Sequence, residues 1–422
     1  PSPSSMKILE TLSVPLFGNF SALYMYYTYV QIGTPAVSFS VVVDTGSSDF
    51  FIPQAGCSGC MPPTKGSPLY NGSKSMSSTR VGCTDPGKLI CSNAGSQCSA
   101  SAPCETSVTY GGSLTEEADL FKDVVQLNTD FYPADPVVNH SIFGAIYNIT
   151  QLGTPARRRL RRRRRAAAAA ARRDDETYPE GMLGLALAPL VAAGYVPLMD
   201  ALLPAAGLPD VFSMCLTPQH GGMMTLGGVD PNFPTPSFTP LAAPPKGGLR
   251  DFYRVETEAV LVGGEALPGI PKSVLNENSI VDSGTPLPTL PTSAYAAVKA
   301  RMLSGCATTP LTGLCGQPSN ATLFEQICFT MSDTEIDAFP SVSLALAANV
   351  TLDIPPRWLL QRGLYFCDDV TQVGLALDYD PHFTVVGAPL LQRYMTVYDR
   401  AQQRVGFASA EGAACATPPA RR

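Results

Sequence analysis

Charged residues are scarce in this sequence, and histidine and tryptophan are scarcer still. Only 15% of the 422 residues are charged, and the chain has three histidines and one tryptophan. Exposed helices carry a charged or polar face, so this shortage of charge argues against a helical bundle. Three histidines also leave few nitrogen ligands for a zinc centre. We therefore expect a globular protein that is not a helical bundle and that binds no metal or other cofactor.

Long uninterrupted apolar runs are missing as well. The segment 181–199 is free of charge, but it contains Pro189, Pro197 and three glycines. A membrane-spanning helix needs about 20 consecutive, mainly apolar residues. We therefore expect no span within the chain, and any membrane contact only through an anchor outside it.

The sequence is rich in glycine, in proline and in short runs of β-branched residues. It contains 36 glycines and 39 prolines, and 45% of its residues are hydrophobic. Many turns between short strands are typical of a mainly β protein. A chain of this length exceeds one core. The sequence thus predicts two domains, 1–229 and 230–422, with the boundary before the proline-rich segment 231–245.

The twelve cysteines divide evenly, six to each half. Together with six glycosylation sequons, they predict disulfides and a secreted glycoprotein, either extracellular or in an acidic vacuole- or lysosome-like compartment. Zinc bound through Cys57-x-x-Cys60 is the alternative, but no second closely spaced pair follows. Because the chain begins at Pro1 without a signal peptide, we expect a processed form. The sequons are Asn19, Asn71, Asn139, Asn148, Asn320 and Asn349.

An arginine- and alanine-rich segment at 156–176 dominates the positive charge. Ten arginines lie in it, so the rest of the chain carries −16 although the total is −6. An acidic body repels nucleic acid, and no such partner is expected. For the segment itself a solvated, disordered insertion is favoured. A processing site for a basic-residue-specific protease and a contact with an anionic surface stay open.

Two stretches 238 positions apart share one design. Each has an apolar strand followed by an aspartate, a hydroxyl residue, a glycine and another hydroxyl residue. Glycine permits a tight turn, and hydroxyls can hold a carboxylate ionised and oriented. If the two turns meet, their carboxylates supply the acid and the base that peptide hydrolysis needs. The turns are Asp44-Thr45-Gly46-Ser47-Ser48 and Asp282-Ser283-Gly284-Thr285.

With these turns and several flanking stretches in order, residues 12–415 resemble the pepsin-like aspartic endopeptidases. The cysteine-rich insert 54–104 is similar to the nepenthesin and plasmepsin V branches. The resemblance implies a bilobal β fold with the active site between two pseudo-symmetric lobes. The other matching stretches are Ile32-Gly33-Thr34-Pro35, Met182-Leu183-Gly184, Val385-Val386-Gly387, Leu226-Gly227-Gly228-Val229-Asp230 and Val397-Tyr398-Asp399-Arg400.

The resemblance also assigns roles to residues. Asp44 and Asp282 would be catalytic, with Ser47 and Thr285 bonded to their outer oxygens and Thr45 and Ser283 locking the turns together. A flap would carry substrate-contacting residues, and a pocket before the scissile bond would be apolar. These residues are Tyr110 and Gly111 in the flap, and Val42 and Met182 beside the pocket.

The disulfides implied by the resemblance lie in the second half. They are Cys215–Cys415, Cys306–Cys315 and Cys328–Cys367. In the first half the cysteines are expected to pair among themselves, and their connectivity stays open. That set is Cys57, Cys60, Cys83, Cys91, Cys98 and Cys104.

Three departures from the family concern the flap and the second turn. The tryptophan that hydrogen-bonds the flap tyrosine is replaced by Phe51, which has no donor. The flap tip at 110–113 is one residue shorter than usual, and Pro286 stands where a serine is common. None of these changes removes a catalytic group.

The expected function is an aspartic endopeptidase active at acidic pH on extended polypeptides. It would be a monomer made as a zymogen and inhibited by pepstatin-type compounds. The rival is a catalytically inactive binding or inhibitor-type protein on the same scaffold. Both aspartates are present, which argues against the rival.

Overall fold

The computed structural model describes residues 11–19, 24–60, 68–82, 104–110, 114–127, 136–151, 179, 181–191, 194–244, 250–411 and 415. Strands make up 44% and helices 17%, so the predicted mainly β class is confirmed. The Arg/Ala-rich segment 156–176 and most of the cysteine-rich insert lie outside the described residues, as do Gly111, Cys83, Cys91 and Cys98.

The described residues of the first half form eleven strands and one α-helix. The strands are β1 Leu12–Asn19, β2 Met25–Ile32, β3 Val37–Asp44, β4 Phe50–Ser58, β5 Thr79–Arg80, β6 Glu105–Tyr110, β7 Leu114–Leu127, β8 Val137–Gln151, β9 Gly181–Gly184, β10 Val211–Leu216 and β11 Gly222–Leu226. The helix is α1, Leu198–Ala205, and 3-10 turns span Gly72–Lys74 and Ala188–Leu190.

The second half has more helices. Its strands are β12 Ser237–Pro240, β13 Thr257–Val262, β14 Glu265–Ala266, β15 Ser279–Val281, β16 Thr289–Pro291, β17 Val342–Leu346, β18 Val350–Ile354, β19 Leu360–Arg362, β20 Val373–Leu375, β21 Asp378–Asp380, β22 Thr384–Val386, β23 Tyr394–Asp399 and β24 Arg404–Ser409. Its helices are α2 Lys272–Leu275, α3 Thr292–Ser304, α4 Asp333–Asp337, α5 Pro356–Leu359 and α6 Ala388–Arg393, with 3-10 turns at Gly305–Ala307, Leu323–Glu325 and Ala347–Asn349.

One sheet runs through both halves. It contains β1 to β11 from the first half and β12, β23 and β24 from the second. The halves join where β10 pairs antiparallel with β23, from Val211 opposite Asp399 to Met214 opposite Thr396. Backbone hydrogen bonds thus connect the two halves of this bilobal β fold. The boundary near residue 230 stays a prediction.

The two halves repeat one strand arrangement around their aspartates. In the first half β3 pairs in parallel with β9, and β9 pairs antiparallel with β4. In the second half β15 pairs in parallel with β22, and β22 pairs antiparallel with β16. Each aspartate therefore stands at the end of a strand that is fixed by a crossing strand from later in the sequence.

Aromatic side chains fill the core where the halves meet. Tyr398 of β23 stacks on Phe212 of β10, with ring centroids 4.7 Å apart, and meets Tyr253 edge-on. Gln392 of α6 donates to the Tyr26 hydroxyl at 2.7 Å, and that hydroxyl donates to the Thr217 carbonyl. The buried polar groups here are paired, as buried polar groups require.

Disulfides are found in both halves. The structure joins Cys215 to Cys415, Cys306 to Cys315 and Cys328 to Cys367, the pairs implied by the resemblance. Cys57 is joined to Cys60 at the end of β4, so the zinc alternative for this pair does not hold. Cys104 is also disulfide-bonded.

The apolar segment 181–199 is broken into three short elements. It contains β9, the 3-10 turn Ala188–Leu190 and the start of α1. No helix among the described residues is long and apolar enough to cross a membrane.

Candidate active site

The two strand ends bring the aspartates together. Asp44 is the last residue of β3, and Asp282 directly follows β15. The crossing segments fix both backbones, because Leu185 N–H donates to the Asp44 carbonyl at 2.7 Å and Asp282 N–H donates to the Val386 carbonyl at 3.1 Å. The geometry at each aspartate therefore depends on residues about 100 to 140 positions further along the chain.

Thr45 and Ser283 lock the two turns to one another. Thr45 N–H donates to Ser283 Oγ at 3.1 Å, and Ser283 N–H donates to Thr45 Oγ1 at 2.9 Å. Each hydroxyl then donates across the interface, Thr45 to the Val281 carbonyl and Ser283 to the Val43 carbonyl. Four hydrogen bonds thus hold the two halves in one relative position at the aspartates.

Both carboxylates are buried and carry matching sets of donors. Asp44 is 6% and Asp282 8% exposed. Ser47 Oγ donates to Asp44 Oδ2, and Thr285 Oγ1 donates to Asp282 Oδ2, both at 2.5 Å. On the other oxygen, the N–H groups of residues 46 and 284 donate at 2.8 Å. These donors orient each carboxylate from behind.

The Asp44 carboxyl is perturbed by its surroundings and by Asp282. The pKa of Asp44 is raised well above its ordinary value, first by burial and then by the neighbouring Asp282 carboxyl. Ser47 and the Gly46 N–H oppose this rise by stabilising the charged form. A nearby negative charge disfavours ionisation, so Asp44 holds its proton to higher pH than a lone aspartate.

Comparison with known proteins places this geometry in a family. The family model described as "Eukaryotic aspartyl protease" matches residues 165–410, and the one described as "Xylanase inhibitor N-terminal" matches residues 26–228. The chain belongs to the eukaryotic aspartyl proteases. The predicted pepsin-like family is thereby confirmed.

Curated relatives of this aspartyl protease are found in Arabidopsis thaliana. Aspartic proteinase 36 is 24% identical, over 95% of this chain and 77% of its own length. Aspartic proteinase 39 is 25% identical, over 95% and 78%. A third relative, called an aspartyl protease family protein, is 27% identical over 91% and 71%. The similarity to these aspartyl proteases therefore covers nearly the whole chain.

The flap position of this aspartyl protease lies on the β6–β7 hairpin. Tyr110 ends β6 and pairs with Leu114, the first residue of β7. Its hydroxyl is buried, and burial raises its pKa, as do the nearby charges of Glu116, Asp49 and Asp44 in that order. Tyr110 therefore lies within electrostatic range of Asp44.

The two predicted pocket residues are neighbours across paired strands. Val42 lies opposite Met182 in the β3–β9 pair and opposite Tyr27 in the β2–β3 pair. Val42 also packs with Met25, Tyr27 and Tyr29 in one apolar cluster. An apolar wall therefore begins two residues before Asp44.

Sequence reasoning missed three buried ionisable residues around Tyr110. Asp49 follows the first turn, Glu116 lies on β7, and Tyr195 precedes α1; each is at most 5% exposed. The available signal was Asp49 itself, a charged residue next to the apolar run 50–53. Nothing in the sequence pattern indicates that the other two lie close to it.

The sequons differ in accessibility. Asn19 is only 6% exposed, and glycosylation there stays a prediction. Asn71 accepts a hydrogen bond from Ser73 N–H at the start of a 3-10 turn, and Asn148 donates to Glu117 at 2.6 Å. Glycosylation stays a prediction for these two and for the exposed Asn139, Asn320 and Asn349.

Among the described residues no group of three or more histidine, cysteine, aspartate or glutamate side chains could hold a metal ion. At the site itself, Asp44 and Asp282 each accept one hydrogen bond from a hydroxyl group and one from a backbone N–H group.

Proposed function

We propose that this protein is an endopeptidase that hydrolyses extended polypeptides at acidic pH through the dyad of Asp44 and Asp282. The observation that carries the proposal is the matched pair of buried carboxyls on two closely apposed turns, each with its own hydroxyl donor. The family and the names of its relatives support a protease.

The dyad provides acid and base in one step. With one proton shared between the carboxyls, the ionised group takes a proton from water while the protonated group gives its proton to the carbonyl oxygen of the peptide bond. Water oxygen bonds to the carbonyl carbon in this step. The tetrahedral intermediate breaks at its C–N bond when the carboxyl that took the water proton gives it to the nitrogen, which leaves as an amine, while a hydroxyl of the intermediate returns its proton to the other carboxylate. The pair titrates as a unit, so the proton belongs to the dyad rather than to one residue.

Positioning is the second contribution of the site. The hydroxyls of Ser47 and Thr285 hold the carboxylates from behind, and the Thr45–Ser283 lock sets their separation. A nucleophile and an acid held in reacting geometry can accelerate a reaction by several orders of magnitude. The lock is made by both halves, so activity requires both.

We also propose that the enzyme prefers substrates with an apolar residue before the scissile bond. Val42, Met182 and Tyr110 would contact it, and the cluster with Met25 and Tyr27 extends the same wall. Cleavage-site profiling on a peptide library should therefore show a preference for large apolar side chains at this position. A preference there for a charged residue would contradict the assignment of these residues to the pocket.

Partners and compartment follow from the same proposal. The chain would act as a monomer on polypeptides and bind pepstatin-type inhibitors, without nucleic acid. The disulfides suit an oxidising compartment, so we propose the secretory pathway and either the outside of the cell or an acidic vacuole.

The second candidate is an inactive binding protein of the same fold. The match to "Xylanase inhibitor N-terminal" over residues 26–228 is the observation in its favour. Partner binding that is equal in the wild type and in Asp282→Asn, with cleavage by neither, would support it. The intact dyad favours the protease.

The direct experiment is incubation of the purified protein with denatured globin at about pH 4, with and without pepstatin. Cleavage that pepstatin abolishes is expected. If no product forms at any pH from about 3 to 6.5 after removal of any pro-segment, the proposed activity is wrong.

A further inference from the structure

Two fully buried tyrosines reach the residues beside the dyad. Tyr398 of β23 and Tyr253 are both 0% exposed, and their rings meet edge-on with centroids 4.6 Å apart. Phe212 of β10, which has no hydroxyl, stacks on Tyr398 in the same cluster. A buried hydroxyl is costly unless it is hydrogen-bonded, so the bonds of the two hydroxyls indicate what these tyrosines do.

The Tyr398 hydroxyl contacts the lock between the two turns. It lies 3.4 Å from Thr45 Oγ1. Thr45 donates its single hydroxyl proton to the Val281 carbonyl at 3.1 Å, and its oxygen accepts Ser283 N–H at 2.9 Å. Because a hydroxyl has one donor and two acceptor sites, Tyr398 is the donor in this contact and Thr45 Oγ1 the acceptor. Tyr398 therefore completes the hydrogen bonding of the Thr45 oxygen.

The Tyr398 hydroxyl keeps its proton at acidic pH. Burial raises the pKa of Tyr398, and the hydrogen bond with Thr45 lowers it by a smaller amount. The charges of Asp282 and Asp44 raise this pKa further. An unperturbed tyrosine already has a pKa of about 10, so Tyr398 remains a hydrogen-bond donor throughout the acidic range.

Tyr253 connects the backbone segments that hold the two aspartates. Its hydroxyl donates to the Leu185 carbonyl at 2.7 Å, and Leu185 N–H donates to the Asp44 carbonyl at 2.7 Å. The carbonyl of Tyr253 accepts Val281 N–H at 3.0 Å, from the residue before Asp282. One residue thus links the crossing segment beside Asp44 to the strand that leads to Asp282.

We propose that Tyr398 and Tyr253 are positioning residues of the dyad, whose hydroxyls hold Thr45 and Leu185 and, through them, the backbone at Asp44. The proposal rests on the proposed peptidase function, since it concerns the geometry of that site. Both tyrosines are fully buried and therefore do not touch substrate. Loss of either hydroxyl should lower kcat and leave KM nearly unchanged, because only the geometry of the reacting groups changes.

The test replaces each tyrosine by phenylalanine, which removes the hydroxyl and keeps the ring. In cleavage of a quenched peptide at about pH 4, Tyr253→Phe should lower kcat about tenfold. Tyr398→Phe should lower kcat about fivefold, because its hydrogen bond is longer and therefore weaker. KM should change by less than about twofold in both variants.

Tyr295→Phe is the matched control. The Tyr295 hydroxyl is also buried and donates to a backbone carbonyl, that of Phe324, at 2.8 Å. Tyr295→Phe and Tyr253→Phe should therefore raise the unfolding equilibrium constant by the same factor, about fivefold, while kcat of Tyr295→Phe stays within about twofold of the wild type. Equal losses of kcat in these two variants would overturn the proposal, as would an unchanged kcat in Tyr253→Phe.

Hydrogen exchange at the lock provides a readout that does not need activity. The amides of Thr45 and Ser283 donate across the two turns. They should exchange about fivefold faster in Tyr398→Phe than in Tyr295→Phe, since one supporting hydrogen bond is lost. Equal exchange in the two variants would overturn the role of Tyr398 even if the wild type cleaves nothing.

The Leu185 amide reports on Tyr253 in the same way. It should exchange about fivefold faster in Tyr253→Phe than in Tyr295→Phe, and equal exchange would overturn the role of Tyr253. Faster exchange at these amides together with an inactive wild type would reject the peptidase function and keep the positioning of the two turns.

Discussion

At the scale of single residues, the glycines of the two turns are needed because the turns approach so closely. A Cβ added to Gly46 would lie 2.5 Å from the carboxyl carbon of Asp282, and one added to Gly284 would contact Asp44 Oδ1. Neither glycine has a positive φ. Their small size, and not their backbone freedom, is therefore what the dyad requires.

Gly46→Ala should displace the Asp282 carboxyl and lower kcat/KM by about a hundredfold, because small displacements of reacting groups have effects of that size. Steady-state kinetics with a quenched peptide would measure it. Gly305→Ala is the matched control, since a Cβ there meets nothing within 4 Å and the backbone is helical. Full activity in Gly46→Ala would show that the turns are further apart than described.

Asp44 makes the stability of the fold depend on pH. Its pKa is raised in the folded state by burial and by Asp282, so the fold favours the protonated form. The stabilisation from this group is fully present below the unfolded-state pKa and is lost as the pH rises through the folded-state pKa.

Asp44→Asn should therefore stabilise the protein at neutral pH by about 1 kcal/mol while abolishing cleavage, a trade-off common at active sites. At about pH 3 the variant and the wild type should be equally stable, because the carboxyl is then protonated in both folded and unfolded states. Urea unfolding at both values measures the difference. A gain of equal size at both pH values would mean that ionisation of Asp44 is not the cause.

The sequence alone predicts the roles of the residues inside the two turns. The order of aspartate, hydroxyl and glycine after an apolar strand indicates both a carboxylate and its donors, and the structure forms those bonds. Asp49, Glu116 and Tyr195 could not be predicted as a group. They come from three separate elements, and only the fold brings their side chains together.

At the scale of elements, a buried arginine ties the second half to α1. Arg400, in the turn after β23, has a side chain only 7% exposed and pairs with Asp200 of α1 and with Asp210 at 3.2 Å. Burial lowers the pKa of Arg400 to about 10. Arg400 therefore stays charged at acidic pH. The strength of these ion pairs depends on pH only through the ionisation of the carboxylates of Asp200 and Asp210.

Arg400→Met should lower the free energy of unfolding at pH 7 by about 3 kcal/mol, because it leaves Asp200 without its buried partner. Chemical denaturation would measure this loss. Arg357→Met is the control: that arginine is 59% exposed and its partners are exposed too, so the melting temperature should not change. Equal effects of the two substitutions would show that burial of Arg400 adds nothing.

The strands that lead to the two aspartates were accessible to sequence reasoning, but the long-range pairing of strands was not. Both of these strands lie where the apolar pattern predicts them. The pairing of β10 with β23 joins segments about 180 positions apart, and alternation of apolar residues does not specify a partner strand. The family resemblance, rather than periodicity, indicated the bilobal arrangement.

At the scale of the whole molecule, the site exists only because the two halves meet. Each half supplies one aspartate, one hydroxyl donor and one side of the Thr45–Ser283 lock. The continuous sheet and the disulfide Cys215–Cys415 connect the same halves elsewhere. Loss of the carboxylate from either half should therefore remove activity without unfolding the chain.

The most direct test of that claim is kcat/KM on a denatured protein or peptide library at about pH 4 for the wild type, Asp44→Asn and Asp282→Asn. Each variant should lose at least about a thousandfold, since each removes general acid–base catalysis. Both variants should stay folded. Cleavage by either variant at a rate within about tenfold of the wild type would contradict the dyad mechanism.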